Sequence, residues 1–238
     1  MDITTAELMV SILSKGLRDG EVAIMGAFSG IPMLASRLAQ LTHAPNLTYI
    51  AGGSGAINQL LEHLPASSCD YALSKAEVVL PLTDVIDFEA RTEIDVFFAG
   101  GIQIDGHGNC NLVCVGDYRA PKFRGPGTVG LTFLSRARRY IIYTMNHSKK
   151  NFVEKVDFVS GSGRPSMIVS PLGVMRFEPD RSVSLVSVHP NIKVEEVVEN
   201  TGFRLNVDNV EVTKLPSHEE LEIMRRLDPR GVARHSIK

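Results

Sequence analysis

Helical and strand patterns alternate through the first fifty residues, and that alternation constrains the chain more than any other feature. Thr4 and Glu7 stand at capping-box spacing, and Ala6, Met9, Ile12, Leu13 and Leu17 recur at helical intervals as far as Gly20. "EVAIMGAF" reads as a short buried strand. "IPMLASRLAQLTH" reads as a second helix, with Pro32 in the first turn, where a missing N–H costs nothing. "LTYIAG" is the next strand and empties into glycine. Helix, strand, helix, strand is the rhythm of a parallel sheet with helices packed on it.

"IDVFFAGG" and "RRYIIYTM" continue the strands. Past residue 150, "FVEKVDFVS", "SMIVSPLGVMRFE" and "SVSLVSVHP" read as strands, the second broken at "PLG" into a hairpin. "VEEVVENTG" reads as a short helix with Gly202 at its C-cap. "SHEELEIMRRLDP" closes with an amphipathic helix carrying Leu221, Met224 and Leu227 on one side. No repeat or linker interrupts the pattern. The expected fold is therefore α/β, an open doubly wound sheet with a strand-rich second half, in a single domain over residues 1–238.

Composition narrows the class. With 44% hydrophobic residues in 238, the chain can bury a sizeable core. A net charge of −2 gives no electrostatic argument for nucleic acid or an anionic membrane. No apolar run reaches the roughly 18 residues of a membrane span, and "MDITTAELMV" has no basic leader pattern. Three cysteines, Cys69, Cys110 and Cys114, fit reduced thiols in the cytoplasm better than a disulfide scaffold.

Glycine marks the places where chemistry could sit. Residues 100–130 hold eight glycines, far above a background of about 7%. Within them "DGHGN" is a tight turn and "NLVCV" its return strand. Asp105, His107 and Asn109 suit turn chemistry, or else scaffold a ligand site beside Gly100 and Gly101. His107, Cys110 and Cys114 supply three metal-type ligands without a fourth nearby, so no metal is expected. Nothing in the neighbouring sequence marks Cys114 as a nucleophile. Arg119, Lys122 and Arg124 around two prolines are either a solvated loop or a contact for an anion such as phosphate. "GPGTVG" is no phosphate-loop pattern, and "GGSGAI" lacks the G-x-S-x-G elbow of a serine hydrolase.

Taken together, "GGIQID", "GNCNLVCVGDYRAPKFRGPG", "APNLTYIAGGSG", "FVEKVDFVSGSG", "MIVSPLGVMRFEPD" and "VSVHPNIKVEEVVENTGFRL" resemble the B-type (β) subunit of family I CoA-transferases, especially the glutaconate CoA-transferase branch. The resemblance runs in order from about residue 5 to 230. It implies the open CoA-transferase fold and a homologous A-type (α) partner in a heterotetramer or larger assembly. It also implies an acyl-CoA substrate, with coenzyme A as part of that substrate and no permanently bound cofactor.

In active transferases of that family a glutamate after the second strand attacks the thioester, giving an anhydride and then a glutamyl-CoA thioester. The matching positions here are Gly52 and Gly53, followed by Ser54 and Gly55, with no carboxylate. Ser54 is the one neighbouring hydroxyl. Relatives also carry a G-x-G-G-A loop, whereas this chain reads "GPGTVGLT", with Val129 where the first paired glycine would fall. The resemblance thus places substrate against Gly53, Ser54, Gly100, Gly101, Gln103, Gly127, Val129 and Gly130. A glutamate-lacking branch of the family opens a ring in CoA-linked steroid breakdown products with a base on the A-type partner. Hydrolysis or C–C cleavage of that kind is the expected reaction. Conventional CoA transfer and a non-catalytic structural role are the alternatives.

Overall fold

The Thr4 side chain accepts the Glu7 N–H at 3.1 Å, and the Glu7 carboxylate accepts the Thr4 N–H at 2.9 Å. This reciprocal cap starts α1, Thr5–Lys15, which ends at Gly16, four residues before Gly20. The computed structural model describes residues 2–27, 29–91, 94–128 and 130–233. They group into two compact units, Met1–Phe98 with Leu215–Lys238, and Ala99–Lys214.

In the first unit, β1 (Val22–Met25), α2 (Gly30–Leu41) and β2 (Thr48–Ala51) follow α1 as the sequence pattern requires. β3 (Ala56–Gln59), β4 (Ala76–Val79), α3 (Leu82–Ala90) and β5 (Val96–Ala99) complete the run. The strands lie in the order β5-β1-β2-β3-β4. β1 is parallel to β2 and to β5, while β2, β3 and β4 pair antiparallel. β1 sits between two parallel neighbours, and a strand so placed is buried on both faces. Ala23, Ile24 and Met25 accordingly form an unbroken apolar run at 0–1% exposure. α3 has no counterpart in the sequence reading. Only Val85 and Glu89 of this helix are buried, too narrow a stripe to register as a helical period.

In the second unit, β6 (Gln103–Ile104) and β7 (Cys110–Asn111) form a hairpin, and β8 (Cys114–Val115) pairs with β9 (Phe123–Arg124). β10 (Arg139–Tyr143), β11 (Pro165–Val169), β12 (Gly173–Phe177) and β13 (Val183–Val188) follow. α4 (Val194–Glu199) and β14 (Glu211–Val212) come last. β10 is parallel to β11, β11 to β13 form an antiparallel meander, and β14 adds parallel to β13. "PLG" is the expected hairpin turn between β11 and β12.

Two strand expectations fail. "NLVCV" is not one strand, because the Asn111 side chain turns the chain. Its Oδ1 accepts the Val113 and Cys114 N–H groups at 2.9 and 3.3 Å, and its Nδ2 donates to the Cys114 carbonyl at 2.6 Å. "FVEKVDFVS" is irregular apart from a bridge of Phe152 to Ile104. Its backbone is held at scattered points rather than by a ladder, with Val153 N–H donating to the Ile104 carbonyl, Ser160 N–H to the Cys110 carbonyl, both at 2.9 Å, and Asp157 N–H to Gln103 Oε1 at 3.0 Å. α5 (His218–Leu227) returns the chain to the first unit and packs on α1 and α2, with Leu221, Met224 and Leu227 inward as read. It is joined to α1 by the Arg225–Glu7 ion pair at 2.7 Å.

Candidate active site

β2 and β3 face each other with Ala51 opposite Ala56, so residues 52–55 must reverse the chain in four steps. The Ser54 and Gly55 N–H groups both donate to the Ala51 carbonyl, at 3.0 and 2.9 Å. Ser54 Oγ donates to the same carbonyl at 3.2 Å and accepts the Ala56 N–H at 3.3 Å. Its proton is thus spent on the turn. Gly55 lies at φ 73°, and a Cβ there would run into the Leu80 carbonyl. A Cβ at Gly52 would come to 3.0 Å from the Met25 carbonyl oxygen. At Gly53 it would overlap the Cys69 Sγ and stand 3.2 Å from Ser68 O and Oγ. The side-chain space above Gly53 therefore belongs to Cys69, an exposed free cysteine. Glu62 follows the opposite end of β3 and is exposed, so it does not substitute for a carboxylate in the turn.

In the second unit, Gly100 and Gly101 follow β5. A Cβ at Gly101 would stand 2.7 Å from the Gln103 oxygen and 3.1 Å from the Asn111 oxygen, and one at Gly100 would stand 3.3 Å from the Tyr143 oxygen. Gln103 is 5% exposed and both ends of its amide are hydrogen-bonded. Nε2 donates to Asp157 at 2.9 Å, and Oε1 accepts from Asn111 Nδ2 at 2.7 Å and from Asp157 N. Asn151 Nδ2 reaches the Gly101 and Ile102 carbonyls at 3.0 and 3.1 Å. Asn151 thus braces the backbone around Gly101, while Gln103 ties Asn111 to Asp157. Gly127 sits at φ 100° with open space where a Cβ would be, so its dihedral rather than its surroundings asks for glycine. Gly130 opens the short 3-10 turn Leu131–Ser135. Val129 lies outside the described residues.

The remaining titratable candidates are structural. Asp105 closes the "DGHGN" turn, accepting from His107 N and Asn109 N at 3.0 and 3.1 Å and from Asn109 Nδ2 at 3.0 Å. Burial, reinforced by the Asp105 charge, pushes the Cys110 thiol up to about 12, which removes it as a nucleophile at neutral pH. Cys114 is buried as well. Among the described residues, no three His, Cys, Asp or Glu side chains gather as a metal would need. His147 bridges Ser170 Oγ (2.7 Å) and Thr201 Oγ1 (3.0 Å), and His189 bridges Thr213 Oγ1 (3.0 Å) and the Ser170 carbonyl (2.9 Å). Burial drives both imidazoles down to about 4, and the neighbouring His189 adds to the effect on His147. Both are neutral braces under physiological conditions. Burial alone raises Glu89 to about 7.

Residues 6–200 match the family model for coenzyme A transferase. The chain belongs to the coenzyme A transferase family. The B subunit of the 3-oxoadipate CoA-transferase of Pseudomonas knackmussii is 31% identical over 252 aligned positions, covering 98% of this chain and 96% of that one. The cholesterol ring-cleaving hydrolase IpdB subunit of Mycobacterium bovis is 30% identical, over 99% of each chain. Among solved structures, the decarboxylase AibA/AibB superposes with a TM-score of 0.91 at 29% identity, covering 99% of both chains. The mixed α/β architecture expected from the alternating pattern is thus the coenzyme A transferase fold. Its motifs drew attention to the glycines but not to Cys69, which stands 16 residues from Gly53 in the sequence. No periodicity links the two positions. The only available signal was the solvated "ASSCD" context, which does not suit a buried thiol.

Proposed function

We propose that this chain is the B-type subunit of a two-subunit enzyme that acts on acyl-CoA thioesters by hydrolysis or C–C cleavage, with the catalytic base on an A-type partner. The observation that carries it is the β2–β3 turn. It offers no carboxylate at Gly52 or Gly53, and Cys69 fills the space a side chain at Gly53 would need. A glutamyl-CoA intermediate cannot form there. The ring-cleaving hydrolase subunit and the decarboxylase among its relatives are both named for breaking carbon skeletons, which supports the same direction. Coenzyme A enters as part of the substrate. The substrate-facing backbone is assigned to Gly53, Ser54, Gly100, Gly101, Gly127 and Gly130. Gln103, which the same resemblance places at the substrate, is tied to Asn111 and Asp157. A partner carboxylate would activate water or take a proton from the acyl chain, so that no covalent bond to this subunit is needed.

The test is made on the assembled complex, incubated with acyl-CoA and then borohydride. The mass of this subunit should be unchanged, and turnover should need no carboxylic acid acceptor. Ser54→Ala should retain most activity, since its hydroxyl is committed to Ala51. Robust CoA transfer between two acids, with an adduct trapped within residues 50–65, would establish conventional transfer instead. The name of the 3-oxoadipate relative is what favours that second reading.

A further inference from the structure

Buried polar atoms without a partner gather at one place in the first unit. Among the described residues there are six such side-chain atoms, and four of them are Arg37 Nε, the Tyr49 hydroxyl and both amide atoms of Gln59. Leaving a buried donor or acceptor unpaired is costly, so four together call for something to meet them. Gln59 ends β3 and is 2% exposed. It lines a cavity of about 490 Å³ with Arg37 and Gln40 of α2, within the range of small-molecule sites. A hydrogen-bonded chain fixes Arg37 on this wall. Its Nη1 donates to Gln40 Oε1 at 2.6 Å, Gln40 Nε2 donates to Asn58 Oδ1 at 3.0 Å, and Asn58 Nδ2 donates to Glu77 at 2.9 Å. Among the described residues, the bond to Gln40 is the only one the guanidinium makes. Burial pushes the Tyr49 hydroxyl up and the Arg37 charge works against that rise, so the phenol keeps its proton within the field of the guanidinium.

The unpaired set holds donors in excess. Arg37 Nε, Gln59 Nε2 and the Tyr49 hydroxyl all offer protons, and only Gln59 Oε1 is solely an acceptor. Such a wall suits an anion, and a guanidinium matches a carboxylate in particular. The rest of the lining says what else the guest carries. Glu62 and Glu77 also line the cavity. They repel a plain anion and suit a guest that bears an ammonium group as well. Leu41, Leu60 and Leu61 add apolar surface. We propose that this cavity binds a free amino acid with an apolar side chain. Arg37 and Gln59 meet its carboxylate, Glu62 and Glu77 its ammonium group, and the three leucines its side chain. The Gln59 amide turns onto the guest about its terminal torsion, which is broad and costs little to rotate. Thr48 and residues 58–62 line the cavity, whereas the turn 52–55 joins Ala51 to Ala56 at the other end of the same two strands. The site is therefore separate from the turn assigned to the thioester and does not rest on the acyl-CoA reading.

L-Leucine is the probe, titrated calorimetrically into the assembled complex. It should bind, and two analogues should bind more weakly by about tenfold or more: 4-methylpentanoate, which lacks the ammonium group, and 3-methylbutylamine, which lacks the carboxylate. Gln59→Leu replaces the unpaired amide with an apolar group of similar size. It should hold or raise the melting temperature and still lower leucine affinity by about tenfold. Glu62→Gln with Glu77→Gln should weaken leucine binding without weakening that of 4-methylpentanoate, since only the ammonium group needs those charges. No binding of leucine by the wild type would overturn the proposal. So would equal affinity for the three probes, or undiminished leucine binding by a folded Gln59→Leu complex.

Discussion

At the scale of single residues, the question posed by "AGGSG" becomes one of occupancy. Glycine at 53 could mean that a nucleophile was trimmed away and its space left open. The structure gives that space to the Cys69 Sγ, with the Ser68 carbonyl oxygen also 3.2 Å from where a Cβ would stand. A carboxylate could not be restored by one substitution without turning Cys69 aside. Of the three thiols, Cys69 alone is exposed, while Cys110 and Cys114 are buried. Iodoacetamide applied to the folded complex should therefore alkylate Cys69 and spare the other two, as peptide mass mapping would read. Acyl-CoA should slow that reaction, because the thiol lies against the turn assigned to substrate. Labelling of Cys110 before Cys69, or no protection by substrate, would separate this turn from the active site.

Elements are held together here by polar contacts as well as by apolar burial. α1 and α5 are joined by Arg225 and Glu7. Burial raises the Glu7 carboxyl, but hydrogen bonds from Arg225 and Thr4 outweigh it, and the group ends below the ordinary carboxylate value. In the second unit, His147 and His189 tie the β11–β13 meander to α4 and to the strand end at Thr213. Their folded-state pKa values, about 4, lie below the unfolded value of 6.5, so the unfolded chain binds more protons between those limits. Stability is then complete above about pH 6.5 and falls as pH drops toward 4. The loss is on the order of several kcal/mol for the pair. Urea midpoints measured between pH 7.5 and 5 should show this slope, and His189→Gln should flatten it. The Glu7 contribution is lost at lower pH, below its ordinary value of 4.5, which keeps the two effects apart. A midpoint independent of pH across 5 to 6.5 would mean that the imidazoles are not buried neutral.

For the whole molecule, the exposed apolar side chains of the first unit matter most. Leu60, Tyr71 and Leu82 are 64%, 91% and 64% exposed, and Val78 and Val79 are each 48% exposed on β4, an edge strand. An edge strand that carries apolar side chains into water invites pairing with another chain. Expressed alone, the protein should self-associate or aggregate, and co-expression with an A-type subunit should give a stable, monodisperse complex. Light scattering decides the matter: a well-behaved monomer that ignores such a subunit would remove the two-subunit reading. Among the described residues no helix is long and apolar enough to cross a membrane, so this apolar surface is not part of a helical span.

The sequence determined what depends on near neighbours. Capping residues and apolar spacing set α1, α2, β1, β2 and α5, because a helix start or a buried strand is encoded within a few residues. The turn character of "DGHGN" was legible for the same reason, since the Asp105 side chain bonds to residues two and four places on. The absence of a carboxylate in "AGGSG" needed no coordinates at all. Other features were decided by contacts distant in sequence. "FVEKVDFVS" is held at separate points by partners far along the chain, Val153 by Ile104 and Asp157 by Gln103 across 54 residues, so its apolar spacing does not show that it lacks a regular ladder. The Asn111 side chain divides "NLVCV" through bonds only two and three places on, but it is aimed there by burial against Gln103 in the facing strand. α3 is a helix with only two inward positions, a pattern too sparse to read in isolation. Above all, Cys69 meets Gly53 because folding brings the Ser67–Cys69 segment over the turn between β2 and β3. A one-dimensional pattern records which residues can form an element, but which side chain fills the space above a glycine is set by packing in three dimensions.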